Sequence, residues 1–160
     1  SDGDEHQVPM PVVEAPQALL HEQENFVAFA AEDSGFPFLI VEQPGSREPI
    51  STVWARPRQP VEENTLLHQM LFAFLSDSMI LQSALQPHDL EWEKPGLVIA
   101  TMNHSIWFHR ALDINAWLLM HSESPSTSHG RALSIANTFD TDGILLATVS
   151  QEGVLRQRAT

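Results

Sequence analysis

The sequence predicts an α+β domain in which a single, mostly antiparallel sheet wraps one long central helix. Three observations carry this. The stretch Asn64 to Leu85, NTLLHQMLFAFLSDSMILQSAL, is apolar on nearly every side and holds neither Pro nor Gly, as expected of a helix in a core. The chain after Gly96 reads as a succession of strands. Asp142-Gly143 is a two-residue hairpin signal between two of them.

In order along the chain, residues 1–35 form an acidic lead-in or linker, interrupted by Pro9, Pro11 and Pro16, and residues 36–160 form the folded domain. Within the lead-in, Ala18 to Ala31 has the spacing of a short amphipathic helix. Phe38 to Val41 is a short apolar strand before the turn signal Pro44-Gly45. Ile50 to Arg58 alternates. Ile50, Thr52, Trp54 and Arg56 share one face, and Ser51, Val53 and Ala55 the other. The core helix follows, capped by Asn64 or Thr65 and stopped at Pro87.

The expected strands after it are Leu97 to Phe108, Ala116 to Glu123, Arg131 to Phe139 and Ile144 to Arg156, arranged as a meander. The turn-rich SPSTSHG separates the second from the third, and Gly153 suggests a bulge in the last. One sheet face covers the helix. The other needs cover, which points to a second copy or a sister domain.

Bulk properties exclude several function classes. At 160 residues and 42% hydrophobic content the chain suits one domain with a real core. It has no cysteine, which removes disulfides, thiolate metal sites and cysteine nucleophiles and fits a reducing compartment. A net charge of −13 with no basic cluster argues against nucleic acid. No apolar run suits a membrane span, and SDGDEHQVPM lacks the basic and apolar regions of a signal peptide, so a cytoplasmic protein is expected. The eight histidines show no metal-ligand spacing, and no metal site is expected.

Three polar residues stand out against their surroundings. Asp77 lies near the centre of the apolar helix, flanked by serines. It is either a carboxylate at a helix edge that reaches water or a functional group, since an unpaired buried charge is costly. Thr101 sits in the long strand, where Thr is common for packing reasons alone. Gln151 shares a face with Leu145, Ala147 and Val149, so its amide needs a partner, either the sheet backbone or something else. Together the three side chains can hold a water molecule, the carboxylate accepting its proton.

The blocks HQMLFAFLSDSMILQSALQPH, ATMNHSIWFHRALDINAWLLMHSESPSTSHGRAL and DGILLATVSQEGVLR resemble, in order and spacing, the C-terminal half of the acyl-CoA thioesterase II family. They span about residues 68–156. DEHQVPMP is similar to the entry of that family's interdomain linker.

The resemblance implies a hot-dog fold, with a second hot-dog before this one or a homodimer in its place. It implies hydrolysis of fatty acyl-CoA thioesters, and with it a role in fatty-acid and lipid metabolism, without a cofactor. The family's catalytic Asp, Thr and Gln fall on Asp77, Thr101 and Gln151, with His104 and Arg110 as candidate substrate-binding residues. One departure is Asn103, where the family's DHSxWFH motif has Asp. The alternative is a non-catalytic hot-dog module for CoA binding or oligomerisation.

Overall fold

Six segments of alternating or continuous apolar character pair into one sheet. In the computed structural model, which describes residues 4–22, 38–41, 46–92 and 94–157, these are β1 (Phe38–Ile40), β2 (Ile50–Ala55), β3 (Leu97–Phe108), β4 (Leu118–Ser128), β5 (Arg131–Phe139) and β6 (Leu145–Gln157). Every pairing is antiparallel. The order across the sheet is β1-β2-β4-β5-β6-β3. Only β4, β5 and β6 form a meander. β3 leaves it, pairs with β6 and becomes an edge. The expected run of four consecutive strands is corrected accordingly.

The central helix is broken where a single one was expected. α1 (Pro16–Glu22) precedes the sheet, α2 (Thr65–Met79) packs on one face of it, and α3 (Gln82–Leu85) continues after a break at Ile80 and Leu81. Asn64 caps α2, its Oδ1 accepting the Leu67 N–H at 3.0 Å. Serines explain the break. The hydroxyls of Ser78 and Ser83 donate back to the carbonyls of Phe74 and Ile80 at 3.0–3.1 Å, and the Ser76 hydroxyl lies 3.1 Å from the Ala73 carbonyl, all within reach of backbone groups of the helical ladder.

The main core lies between helix and sheet. Phe72, Leu75, Met79 and Ile80 pack on Val53, Leu118, Met120, Ala136 and Val149. A second cluster on the opposite face joins Trp54, Trp117, Leu119, Phe139 and Leu145 to Leu19, Met10 and Val13. The chain's own N-terminal segment therefore covers part of the outer face, where a second copy or sister domain was expected. The segment is pinned by polar contacts as well. The Gln7 amide takes the Leu145 N–H at 3.0 Å and donates to the Gly143 carbonyl at 2.8 Å, and the Trp54 indole donates to the Glu14 carbonyl at 2.9 Å. Residues 23–37, which include most of the expected Ala18 to Ala31 helix, and the Pro44-Gly45 turn lie outside the described residues.

Two strand boundaries differ for local reasons. β4 runs on through the expected turn SPSTS, because a bulge between Glu123 and Ser126 takes up Pro125, which has no N–H to give to the ladder. The turn itself is His129-Gly130, both at positive φ. Phe139 pairs with Leu145, so the β5–β6 loop is wider than a two-residue turn. Asp140 organises it, its Oδ1 accepting the N–H groups of Asp142 and Ile144 at 2.9 Å.

Candidate active site

Asp77, Thr101 and Gln151 come from three elements: the last turn of α2, the middle of β3 and the middle of β6. What brings Thr101 to the helix-facing side together with His104 is a bulge. Thr101 pairs with Gly153, Asn103 with Glu152 and His104 with Gln151, leaving Met102 as the extra residue. In a regular strand, residues three apart face opposite ways. Here the bulge shifts the phase. The bulge expected at Gly153 thus lies across from it, on β3.

Gly153 has its own reason. A Cβ there would lie 2.7 Å from Leu81 Cδ1 and 3.2 Å from the Ala100 carbonyl oxygen. Leu81, at the helix break, is packed directly onto β6, which brings the end of α2 and its Asp77 down to the sheet.

The three side chains are joined. Gln151 Nε2 donates to Thr101 Oγ1 at 3.0 Å, and Thr101 Oγ1 donates to Asp77 Oδ1 at 2.9 Å. Behind Gln151, its Oε1 meets His104 Nδ1. His104 Nε2 in turn lies 3.0 Å from Ser76 Oγ. The chain of contacts therefore runs Asp77–Thr101–Gln151–His104–Ser76 and returns to α2, one residue from where it began. Burial grades along it. Ser76 and Gln151 are buried, His104 is half-buried, and Asp77 and Thr101 are exposed.

Asp77 reaches solvent. It is not a buried ion in a core helix. It sits on a solvent-facing flank, so no large desolvation cost arises. Its second carboxylate oxygen has no protein partner among the described residues and is available to a water or a ligand. Ser76 was visible in the sequence only as a flank of Asp77. A serine within an otherwise apolar helical run is the sequence signal that could have marked it.

The remaining candidates lie elsewhere. Arg110 donates to the Leu145 carbonyl at 2.7 Å and to Glu5 Oε2 at 3.2 Å, away from the Asp77 cluster. It lines a surface cavity of about 600 Å³ with Glu5, His6, His109, Asn137 and Thr148. Asn103 donates to Glu152 Oε2 at 3.1 Å and accepts the Glu152 N–H at 3.3 Å. It stands across the strand from the His104 network and takes no part in it. Asn, unlike Asp, can donate to that carboxylate.

The elements that carry Asp77 and Thr101 also expose apolar side chains. Leu66, Met70 and Phe74 are exposed along the same flank of α2, and Met102 and Phe108 are exposed on β3. Among the described residues β3 is an edge strand, with no outer neighbour to take its free backbone groups.

Comparison with known proteins agrees with this architecture. A family model described as acyl-CoA thioesterase matches residues 29–154. The chain is 32% identical to acyl-CoA thioesterase 2 of Haemophilus influenzae, over 96% of this chain and 59% of that protein. To human acyl-coenzyme A thioesterase 8 it is 34% identical over 68% of this chain and 34% of that protein. A solved acyl-CoA thioesterase II from Mycobacterium marinum superposes with a TM-score of 0.79 at 30% identity, covering 99% of this chain and 60% of that one. A hot-dog protein from Alicyclobacillus acidocaldarius shares the fold, with a TM-score of 0.71 at 16% identity. The chain spans well under two thirds of the length of these relatives. It has the hot-dog fold, and it belongs to the acyl-CoA thioesterase family.

Proposed function

We propose that this domain carries the water-activating half of an acyl-CoA thioester hydrolase. The observation that supports this most is the directed relay from Gln151 through Thr101 to Asp77. The Thr101 hydroxyl holds one carboxylate oxygen in place. The other accepts a proton from water as that water attacks the thioester carbonyl. Gln151 acts through the Thr101 hydroxyl it donates to, and the free lone pair of Thr101 helps to orient the water, which is positioning rather than covalent catalysis. Collapse of the tetrahedral intermediate breaks the carbon–sulfur bond. The proton held by Asp77 passes to the thiolate, giving free acid and CoA.

The cleft in which this happens needs a second wall. Asp77 and Thr101 are open to solvent, and the apolar flank of Leu66, Met70 and Phe74 runs beside them. A second hot-dog domain is the proposed cover, either a sister domain or another copy of this chain, docked along β3 and α2. Fatty acyl-CoA in cytoplasmic lipid metabolism is the proposed substrate setting. Among the described residues no helix is long and apolar enough to cross a membrane.

The test is release of CoA thiol from a panel of acyl-CoAs. Asp77→Asn is expected to lower turnover by at least about 100-fold with the fold intact, the usual scale for losing a catalytic base. Wild-type turnover in that variant would sink the mechanism. CoA binding without thiol release by the wild-type chain would favour the non-catalytic module.

A further inference from the structure

We propose that His104 and Ser76 are positioning residues that set the polarity of the catalytic relay, acting through Gln151 rather than on substrate. The inference rests on the thioesterase reading above and adds to it two residues whose side-chain polar atoms are engaged by protein groups.

A glutamine amide has an acceptor end and a donor end, and the relay works in one orientation. With Oε1 toward His104 and Nε2 toward Thr101, the Thr101 oxygen accepts from Gln151 and its hydrogen is directed at Asp77. With the amide reversed, Thr101 meets an acceptor. Its hydrogen turns to Gln151 Oε1, and Asp77 loses its donor. Gln151 is buried, so water cannot restore the balance. The choice falls to His104.

Gln151 Oε1 only accepts, so His104 Nδ1 must carry a hydrogen. The other ring nitrogen then decides the charge, and it faces Ser76. The Ser76 hydroxyl has two acceptors within reach, the Ala73 carbonyl at 3.1 Å and His104 Nε2 at 3.0 Å. Donation to Nε2 holds a neutral ring in the Nδ1–H tautomer. If Nε2 is protonated, Ser76 accepts from it and turns its own hydrogen to Ala73. In both states Nδ1–H still faces Gln151.

Among the described residues, two carboxylates lie on the elements that carry this unit. Asp77 on α2 is separated from His104 by Thr101 and Gln151. Glu152 on β6 is engaged by Asn103 and Arg131. Neither is in hydrogen-bond contact with the His104 ring.

The experiment compares His104→Leu, His104→Asn and Ser76→Ala in the full chain with wild type and with Asp77→Asn. An Asn side chain places an N–H close to where His Nδ1 has one, without using Ser76. The expected outcome is a kcat about 100-fold lower in His104→Leu, the scale of one lost preorganising donor. His104→Asn is expected to restore most of it, and Ser76→Ala to lower kcat several-fold, with KM unchanged throughout. Adding Ser76→Ala to His104→Asn is expected to change nothing more.

An independent readout is the ¹⁵N spectrum of the His104 ring, which needs no turnover. The neutral ring should be the Nδ1–H tautomer in wild type and lose that preference in Ser76→Ala. An Nε2–H tautomer in wild type would overturn the proposal. So would wild-type kcat in both His104→Leu and Ser76→Ala while Asp77→Asn is inactive. If Asp77→Asn itself keeps full turnover, the thioesterase mechanism falls first and the proposal falls with it.

Discussion

Replacing Thr101 by Val separates the catalytic from the structural value of the relay. Val keeps the shape and removes the hydroxyl, so both of its contacts vanish: Asp77 Oδ1 at 2.9 Å and Gln151 Nε2 at 3.0 Å. The two losses are unequal. Asp77 is exposed, and water replaces the lost donor at little cost. Gln151 is 1% exposed, and its N–H is stranded.

An unpaired buried donor costs about 1–3 kcal/mol, and the open side of residue 101 favours the low end, about 1 kcal/mol. For a domain of this size that lowers Tm by roughly 2–4 °C. Turnover should fall far more, by about 10²–10³, because Asp77 no longer has a fixed donor on one oxygen. A stability loss of that size leaves nearly all molecules folded at 25 °C, so it cannot produce the rate loss. Thermal melts beside the thiol-release assay measure both quantities, and Thr101→Ser should recover activity. A Val variant with wild-type kcat would refute the relay. So would a rate loss that tracks unfolding.

Three further outcomes follow from the packing. Gly153→Ala places a methyl 2.7 Å from Leu81 Cδ1, an overpacking worth about 1–3 kcal/mol, and Leu81→Ala in the same chain should relieve part of it; additive losses in denaturant melts would contradict the contact. Trp54→Phe removes the indole donor to the Glu14 carbonyl, at 2.9 Å, and should cost about 0.5–1.5 kcal/mol while speeding proteolysis of the N-terminal segment. Met70→Glu lies on the exposed flank of α2 and should leave the fold unchanged but lower the solution mass of any homodimer, read by light scattering.

Much of the fold was legible from periodicity. β3 and β5 run between the residues expected, and the two faces of β2 separate as read, Val53 and Ala55 toward the helix and Trp54 toward the outer cluster. The helix break was not legible, because apolar spacing continues through Ile80 and Leu81 while the serine hydroxyls act on the backbone. The place of β3 beside β6 was missed because strand order depends on pairings far apart in sequence. Cover of the outer face by residues 4–22 was missed for a related reason. Met10, Val13 and Leu19 are scattered among prolines and acids and form no periodic run.

At the candidate site the residue types were readable and their burial was not. Asp77 was expected among apolar neighbours, and its neighbours on the exposed flank are indeed Leu66, Met70 and Phe74. An apolar face in contact with solvent and an apolar face in a core have the same composition. The difference lies in what stands opposite, which no single-chain pattern contains. That same ambiguity carries functional weight. A carboxylate must be open to receive water and thioester, yet an acyl chain needs an apolar wall. A helix flank that is apolar, uncovered in one domain and interrupted by one aspartate meets both demands once a second domain closes over it. The bulge at Met102 completes the arrangement by turning Thr101 and His104 to the same side of an edge strand. The relay thus reaches from the buried Gln151 to the open Asp77 across the seam where the second domain is proposed to dock.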